Sequence, residues 1–327
     1  LLEIGMIKVN NNYYLGIDTS AYTTSLAVID ENRNVVFDER ILLEVEMGKK
    51  GLRQQEAVFQ HINNLPKIFD NLYKHIDVKK IKNISASTVP RNVENSYMPV
   101  FKVSQGQAFI IAKTLNIPFK QFSHQDGHIG AGILGCGIED IEDFLALHIS
   151  GGTTELLYVK NDKNNYNIEI IGGSKDISAG QLIDRVGVKL GMNFPCGRSM
   201  DILSLKCDDL QKNMPISVKD TWVNFSGVET MFYKDIDNQK YDNEAIAKRV
   251  FYVIGESLSR MVQFSFKKYK TKKIIVIGGV ASNSYLRSIF KKNITDKKIG
   301  DVYFPPKEMC TDNAIGIAYL GNIKEGF

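Results

Sequence analysis

The chain has 327 residues, enough for two domains of ordinary size, and its 43% hydrophobic and 24% charged residues are those of a globular protein rather than a disordered or fibrous one. No apolar run reaches the ~18 residues of a membrane span, and the formal net charge of +4 permits a nucleic-acid partner without implying one. The four cysteines, Cys136, Cys196, Cys207 and Cys310, form no CxxC pair, which argues against a disulfide scaffold and for a reducing, cytoplasmic setting.

Residues 1–12 contain Glu3 and Lys8 and no apolar core of signal-peptide length. They read either as a short disordered leader or as lying upstream of a true start near Met6. A first lobe is expected over 13–143. Two apolar runs, 14–17 and 26–29, flank the turn Asp18-Thr19-Ser20-Ala21-Tyr22-Thr23-Thr24, and a polar turn at 30–34 leads to a third short strand at 35–37. Over 52–73, Val58, Ile62, Leu65, Phe69 and Leu72 recur at steps of three and four, which predicts an amphipathic helix that Pro66 kinks or breaks. A strand at 81–86, an irregular stretch at 88–103 and a helix at 101–115, ended by Pro118, complete an α/β pattern.

His124 and His128 precede an Ala/Gly/Ile-rich segment that reads as helical. Four residues apart, two imidazoles share one helix face and can bind one metal ion. The zinc-protease HExxH signature is incomplete here, because its glutamate position holds Gln125, which cannot act as a general base. Two helix-start histidines with hydrogen-bonding duties are the plainer alternative, and a third ligand has to decide between them.

A second lobe is expected over 144–327. The runs 145–149 and 156–159 flank Ser150-Gly151-Gly152-Thr153-Thr154, a polar turn covers 161–165, and a strand follows at 168–171. This repeats the plan of residues 14–37, and such a repeat predicts two similar lobes. Two adjacent glycines beside hydroxyl side chains make a phosphate cradle, or an ordinary hairpin turn. A helix is expected over 181–190, with Asp184 either a ribose ligand or a surface acid paired to Arg185 or Lys189. Pro195-Cys196-Gly197-Arg198 reads as a turn, and 201–240 as an insertion with few clear elements. A strong helix covers 244–266. A buried strand at 274–277 then runs into Gly278-Gly279-Val280-Ala281-Ser282-Asn283 and a helix from Tyr285. Strand, Gly-Gly, helix is an adenosine-binding arrangement, since the glycines leave room for a flat base. Between Lys267 and Lys298 nine lysines and Arg287 face a single acid, Asp296, either a phosphate-binding face or a solvated lysine surface at a helix end. Cys310-Thr311-Asp312-Asn313 opens a last helix at 315–320, where Asp312 is either its N-cap or the missing carboxylate ligand.

Taken together, these pieces resemble the tRNA threonylcarbamoyladenosine synthase family, the TsaD-like branch once labelled O-sialoglycoprotein endopeptidase. Residues 17–20 match its first phosphate loop, His124 and His128 its HxxGH motif, and 149–154 its SGGHT loop. Residues 176–185 match DDAAGEAFDK, 195–198 the PGGP turn, 278–283 the GGVxxN turn and 310–313 the CTDN motif. The resemblance implies a two-lobed actin/sugar-kinase/heat-shock-chaperone fold with duplicated RNase H-like domains. It implies one divalent metal, iron or zinc, on His124, His128 and Asp312. It puts ATP or threonylcarbamoyl-AMP on Ile149, Ser150, Gly151, Gly152, Thr153, Asp184, Gly197, Gly278, Gly279 and Asn283. Its expected activity is transfer of threonylcarbamoyl from the adenylate to a tRNA adenosine in the cytoplasm, with TsaB-like and TsaE-like partners and no membrane.

This chain departs from the family pattern in several loops. Ala21 to Thr24 lack two acids of ETSCDET, Thr153 replaces the histidine of SGGHT, and Gln181 stands where the family has Glu. Cys196 and Arg198 alter the PGGP turn, and residues 88–99, without a glycine, stand where the family has TxGPGLxG. Two further readings therefore remain. One is a nucleotide- and metal-binding paralogue that has lost transfer and acts as a partner or regulatory subunit. The other is a carbamoyl transferase acting on a small molecule.

Overall fold

The computed structural model describes residues 12–45, 52–162, 165–207 and 213–323. The expected leader, apart from Asn12, lies outside them. The chain divides into two compact units, one made of 1–44, 53–130 and 313–327, the other of 45–52 and 131–312.

In the first unit β1 (Tyr13–Thr19), β2 (Thr23–Asp30) and β3 (Val35–Leu42) form an antiparallel meander. β4 (Ile81–Val89) pairs in parallel with β1, and β5 (Phe119–Ser123) in parallel with β4, giving the order β3-β2-β1-β4-β5. Parallel neighbours need crossovers, and α1 (Gln54–His75) and α2 (Phe101–Leu115) provide them. Leu15, Ile17, Leu26 and Val28 share one face of the sheet, as the register Leu15↔Val28 and Ile17↔Leu26 requires, and pack with Leu65, Ile68, Leu72, Ala108 and Ala112. The opposite face carries the C-terminal helix Ile315–Ile323, which lies so close to β1 that a Cβ on Gly16 would sit 2.5 Å from Ala314 O.

Pro66 neither breaks nor interrupts α1, which runs 22 residues through it. A proline removes one helical hydrogen bond and costs about 3 kcal/mol, and here the stripe of buried Leu65, Ile68 and Leu72 anchors the helix on both sides. The run expected to be irregular from residue 88 begins inside β4, which extends to Val89.

α3 (His124–Cys136) starts in the first unit and continues past Gly130 into the second. There the meander recurs in β6 (Asp143–Ile149), β7 (Thr154–Asp162) and β8 (Asn165–Ser174). After it come α4 (Ala179–Lys189), α5 (Gly197–Ser204), β9 (Val218–Lys219), β10 (Trp222–Val223), α6 (Ser226–Asp237), α7 (Asn243–Lys268), β11 (Lys273–Ile277), α8 (Ser284–Phe290), β12 (Asp301–Tyr303), α9 (Lys307–Cys310) and the C-terminal helix, α10. β11 pairs in parallel with β6 and β12 with β11, so β8-β7-β6-β11-β12 repeats the plan of the first sheet. The stripe Ile246, Val250, Ile254, Leu258 and Val262 of α7 is fully buried in the core of this unit. No helix among the described residues is long and apolar enough to cross a membrane.

The segment expected to be a sparse insertion is built into the second unit. β10 extends its sheet by pairing in parallel with β8, Trp222 against Gly173, and β9 pairs antiparallel with β10. Asp176 ties the start of α6 to the turn before α4: its carboxylate accepts from Phe225 N, Ser226 N and Ser226 Oγ, and from Ile177 N. Burial alone would raise this carboxyl's pKa, but these four donors favour the charged form and hold it well below the usual carboxylate range. Gly197 opens α5 rather than sitting within a free turn.

Candidate functional site

The first cluster is set by the start of α3. Ser123 Oγ accepts from Asp126 N and Asp126 Oδ2 from Ser123 N, both at 3.0 Å, a reciprocal capping box that fixes where the helix begins. That start puts His124 in the first turn and His128 one turn later on the same face. Their Nε2 atoms are 3.1 Å apart, with ring centroids at 4.5 Å. His124 Nδ1 lies 2.8 Å from Asp18 Oδ1, and Asp18 is wholly buried at the end of β1. A carboxylate accepts, so Nδ1 carries the proton, and in the neutral ring Nε2 keeps its lone pair for a ligand. This is the outer-shell arrangement by which a carboxylate orients a metal-binding imidazole. Asp18 also has a buried Oδ2 with no hydrogen-bond partner. Phe101 packs against the His124 ring at 5.6 Å.

Asp312 is the last residue of the second unit, one peptide bond from Asn313, where the chain enters the first. One ligand atom from each of His124, His128 and Asp312 lies within 4.8 Å of the other two. The capping of α10 falls to the neighbour: Asn313 Oδ1 accepts from Ile315 N and Gly316 N. Two neutral imidazoles and one carboxylate fit a divalent iron or zinc. Gln125 has a structural task, its backbone N donating to Pro90 O.

The hydroxyls of the first Ser/Thr turn are used internally. Thr19 Oγ1 donates to Val100 O, Ser20 Oγ to Thr23 O, and Thr24 Oγ1 meets His61 Nδ1 at 2.8 Å. Thr19, Ser20, Thr23 and Thr24 are all buried. These hydroxyls hold the turn itself and its neighbours.

The second cluster lies within the second unit. Ile149 ends β6, and the turn after it closes by Ser150 N to Thr153 O at 2.9 Å, with Ser150 Oγ accepting from Thr153 N. Gly151 and Gly152 face open space. The start of α4 is locked onto this turn. Ser178 Oγ donates to Gly151 O at 2.7 Å, Thr154 Oγ1 accepts from Ala179 N, and a Cβ on Gly180 would stand 2.3 Å from Ser150 O.

Gly278 (φ +93°) sits against the end of β6, where a Cβ would be 2.4 Å from Ile149 O. Gly279 has open space at its Cβ position. The two glycines thus divide the work: the first permits a close backbone approach, and the second leaves room. Asn283 caps α8 by accepting from Leu286 N, and its Nδ2 donates to Asp201 Oδ1 at 2.6 Å. Asp184 Oδ1 accepts from Cys196 N at 2.8 Å. Burial raises this carboxyl's pKa and the Cys196 N–H works against the rise. The expected surface partners are engaged elsewhere, Arg185 with Glu229 and Lys189 with Asp237. Asp184, Gly197 and Asn283 are therefore tied through Cys196 and Asp201, while Ile149, Ser150 and Gly278 meet at the end of β6.

Sequence reasoning missed Asp18 as the partner of His124, and Ser178, Thr154 and Asp201 as the residues that join the turns. The capping pattern Ser123-x-x-Asp126 was available to fix the helix start. Nothing local in the sequence pairs positions 18 and 124 or 201 and 283.

A family model described as TsaD, tRNA N6-adenosine threonylcarbamoyltransferase, matches residues 45–319. A tRNA N6-adenosine threonylcarbamoyltransferase of Thermotoga neapolitana is 30% identical over 314 residues, 94% of this chain and 92% of the relative. Among solved structures, component A of (R)-2-hydroxyglutaryl-CoA dehydratase from Acidaminococcus fermentans superposes with a TM-score of 0.58 at 13% identity, covering 95% of this chain and 98% of that one. A ROK family glucokinase of Streptomyces griseus gives 0.53 at 11% identity, covering 96% and 99%. At these identities the structural likeness speaks to fold alone, and the fold is the actin/sugar-kinase/heat-shock-chaperone type.

Proposed function

Since the chain belongs to the TsaD family of tRNA N6-adenosine threonylcarbamoyltransferases, we propose that it moves a threonylcarbamoyl group from an adenylate to the exocyclic amine of a tRNA adenosine. The observation that carries this reading is the ligand set of a chain in that family: two imidazoles with Nε2 atoms 3.1 Å apart, and a carboxylate that brings all three ligand atoms within 4.8 Å.

His124, His128 and Asp312 would hold one iron or zinc ion, and Asp18 would keep His124 in the tautomer that leaves Nε2 free. When bound, such an ion supplies Lewis acidity toward an oxygen of the donor. On the nucleotide side, the open face of Gly279 would receive the base, as the absence of any atom within 4 Å of its Cβ position supports. The exposed Gly151-Gly152 turn, with Ser150 and Thr153, would cradle phosphate oxygens. Asp184 and Gly197 would flank the ribose. In the transfer, the adenosine N6 bonds to the carbamoyl carbon, the bond from that carbon to the phosphate oxygen breaks, AMP leaves with the electron pair, and N6 gives up a proton. No side-chain nucleophile is needed.

The lysines that end α7 and lead into β11, Lys267, Lys268, Lys270, Lys272 and Lys273, would meet tRNA phosphates. All but Lys273 are exposed. TsaB-like and TsaE-like proteins would be its partners. The test is genetic. A bacterial host depleted of its own transferase is given this chain with the TsaB-like and TsaE-like proteins of the same genome, and its tRNA nucleosides are analysed by mass spectrometry. Restored threonylcarbamoyladenosine supports the reading. Its absence, with the protein present and folded, favours a partner or regulatory role.

A further inference from the structure

The β1–β2 turn is gripped by a side chain that neither the metal nor the nucleotide reading uses. His61 of α1 is 0% exposed. Its Nε2 lies 2.9 Å from Ser20 O and its Nδ1 2.8 Å from Thr24 Oγ1. A carbonyl oxygen only accepts, so Nε2 carries the proton. Burial lowers the ring's pKa against the opposing effects of Ser20 O and Asp18, so the imidazole is neutral near pH 7. Nδ1 is then an acceptor, and the Thr24 hydroxyl donates to it. That hydroxyl oxygen in turn accepts from Asn64 Nδ2, on the next residue row of α1, at 3.3 Å.

Every bond in this chain therefore has one direction. Asn64 donates to Thr24, Thr24 to His61, and His61 to the backbone of Ser20. Two residues before Ser20 stands Asp18, whose Oδ1 receives the proton of His124 Nδ1 at 2.8 Å. The turn between them is short and stiffened by Ser20 N to Thr23 O at 3.1 Å and by Ser25 Oγ to Asp18 O. A displacement of Ser20 is thus passed to the carboxylate. All of these residues belong to the first unit.

We propose that His61 is a positioning residue for the metal-binding imidazole: it sets the β1–β2 turn, the turn sets the Asp18 carboxylate, and Asp18 holds the tautomer and ring angle of His124. His61 itself touches neither metal nor substrate. The proposal rests on reading His124, His128 and Asp312 as a metal site.

The test compares the wild type with His61→Leu and His61→Gln. Leucine fills much of the same volume without polar atoms, which limits the cavity cost. Glutamine keeps an N–H for Ser20 O. Two readouts are taken: the tautomer of His124 in the metal-free protein, from long-range 1H–15N correlation of the imidazoles, and the affinity for Zn2+. The wild type is expected to show His124 protonated at Nδ1 alone. His61→Leu is expected to show a mixture of tautomers and about tenfold weaker Zn2+ binding, the scale of outer-shell effects on metal sites. His61→Gln should restore both toward wild type. A merely structural role would lower stability without moving the tautomer. Zn2+ uptake and a His124 tautomer that His61→Leu leaves unchanged overturn this inference alone. A wild-type chain that takes up no Zn2+ overturns the metal reading and this inference together. If His61→Leu does not fold, Thr24→Val removes the donor to Nδ1 together with the acceptor of Asn64 Nδ2 and leaves His61 in place, and the same tautomer shift supports the inference while an unchanged tautomer overturns it.

Discussion

Substituting the two glycines of the Gly278-Gly279 pair should separate packing from binding. Gly278 has φ +93° and ψ 159°, a region open essentially to glycine alone, and its Cβ position lies 2.4 Å from Ile149 O and 2.8 Å from His148 Cδ2. In Gly278→Ala, backbone strain of about 1–3 kcal/mol adds to an overpacking cost of about 1–3 kcal/mol, because the first obstacle is a main-chain carbonyl that cannot swing aside. At about 2–4 °C per kcal/mol for a unit of this size, the sum of about 2–6 kcal/mol lowers the melting temperature by roughly 4–24 °C. Gly279 is outside the left-handed region and has no neighbour within 4 Å. Gly279→Val should therefore leave stability within about 0.5 kcal/mol, while filling the room proposed for the base and weakening ATP or AMP binding at least tenfold, about 1.4 kcal/mol. Thermal unfolding and titration calorimetry on both variants decide the matter. A Gly279→Val protein that binds nucleotide as the wild type does, or that melts as early as Gly278→Ala, refutes the division of labour.

Three other outcomes are expected. Asp312→Asn removes the anionic ligand while leaving the Asn313 cap of α10 intact, so bound iron or zinc should fall at least about tenfold by elemental analysis, with little change in melting temperature; full retention would move the site elsewhere. Asp176→Asn should cost about 1–2 kcal/mol at pH 7, discounted for the exposure of the group. Because the folded pKa of Asp176 is depressed, its contribution is present above the unfolded value of about 3.9 and is lost as pH falls through the folded pKa. The gap between wild type and variant in urea titrations should thus start to narrow near pH 4 and shrink progressively as pH falls further, and a gap that does not narrow at all below about pH 4 would show that charge is not the cause. Changing Lys267, Lys268, Lys270, Lys272 and Lys273 to Gln should weaken tRNA binding and flatten its salt dependence while ATP binding stays the same; tight, salt-sensitive tRNA binding that survives all five changes would exclude this face.

The strands and long helices were legible from their apolar residues: short continuous runs on either side of the polar turns around residues 18–24 and 150–154, and a helical period along α1 and α7. The doubled plan was legible too, and each copy adds two parallel strands to its meander. The break that Pro66 allowed does not occur, because a buried stripe outweighs one missing hydrogen bond, and 201–240 was misread because β9 and β10 have two residues each, too few for any period. That α10 packs on the first sheet was not readable, since its near-continuous apolar run says only that it is buried, not against what. The histidine pair stood out by its spacing. The carboxylate that orients it, Asp18, lies 106 residues away, and no rule of spacing joins them. The turns of the second unit were found by their glycines, but the hydrogen bonds from Ser178 and Asp201 that join them came only with the folded chain.

The central claim is that this chain carries a threonylcarbamoyl group from an adenylate to a tRNA adenosine. Purified metal-loaded protein, mixed with threonylcarbamoyl-AMP and unmodified tRNA and with the proposed TsaB-like and TsaE-like partners added, tests it most directly when released AMP and modified adenosine are counted in the same reaction. One modified adenosine for each AMP released above the protein-free control, both lost in Asp312→Asn, is the expected result. AMP release with no modified nucleoside, under conditions where an authentic transferase modifies the same tRNA, would contradict it.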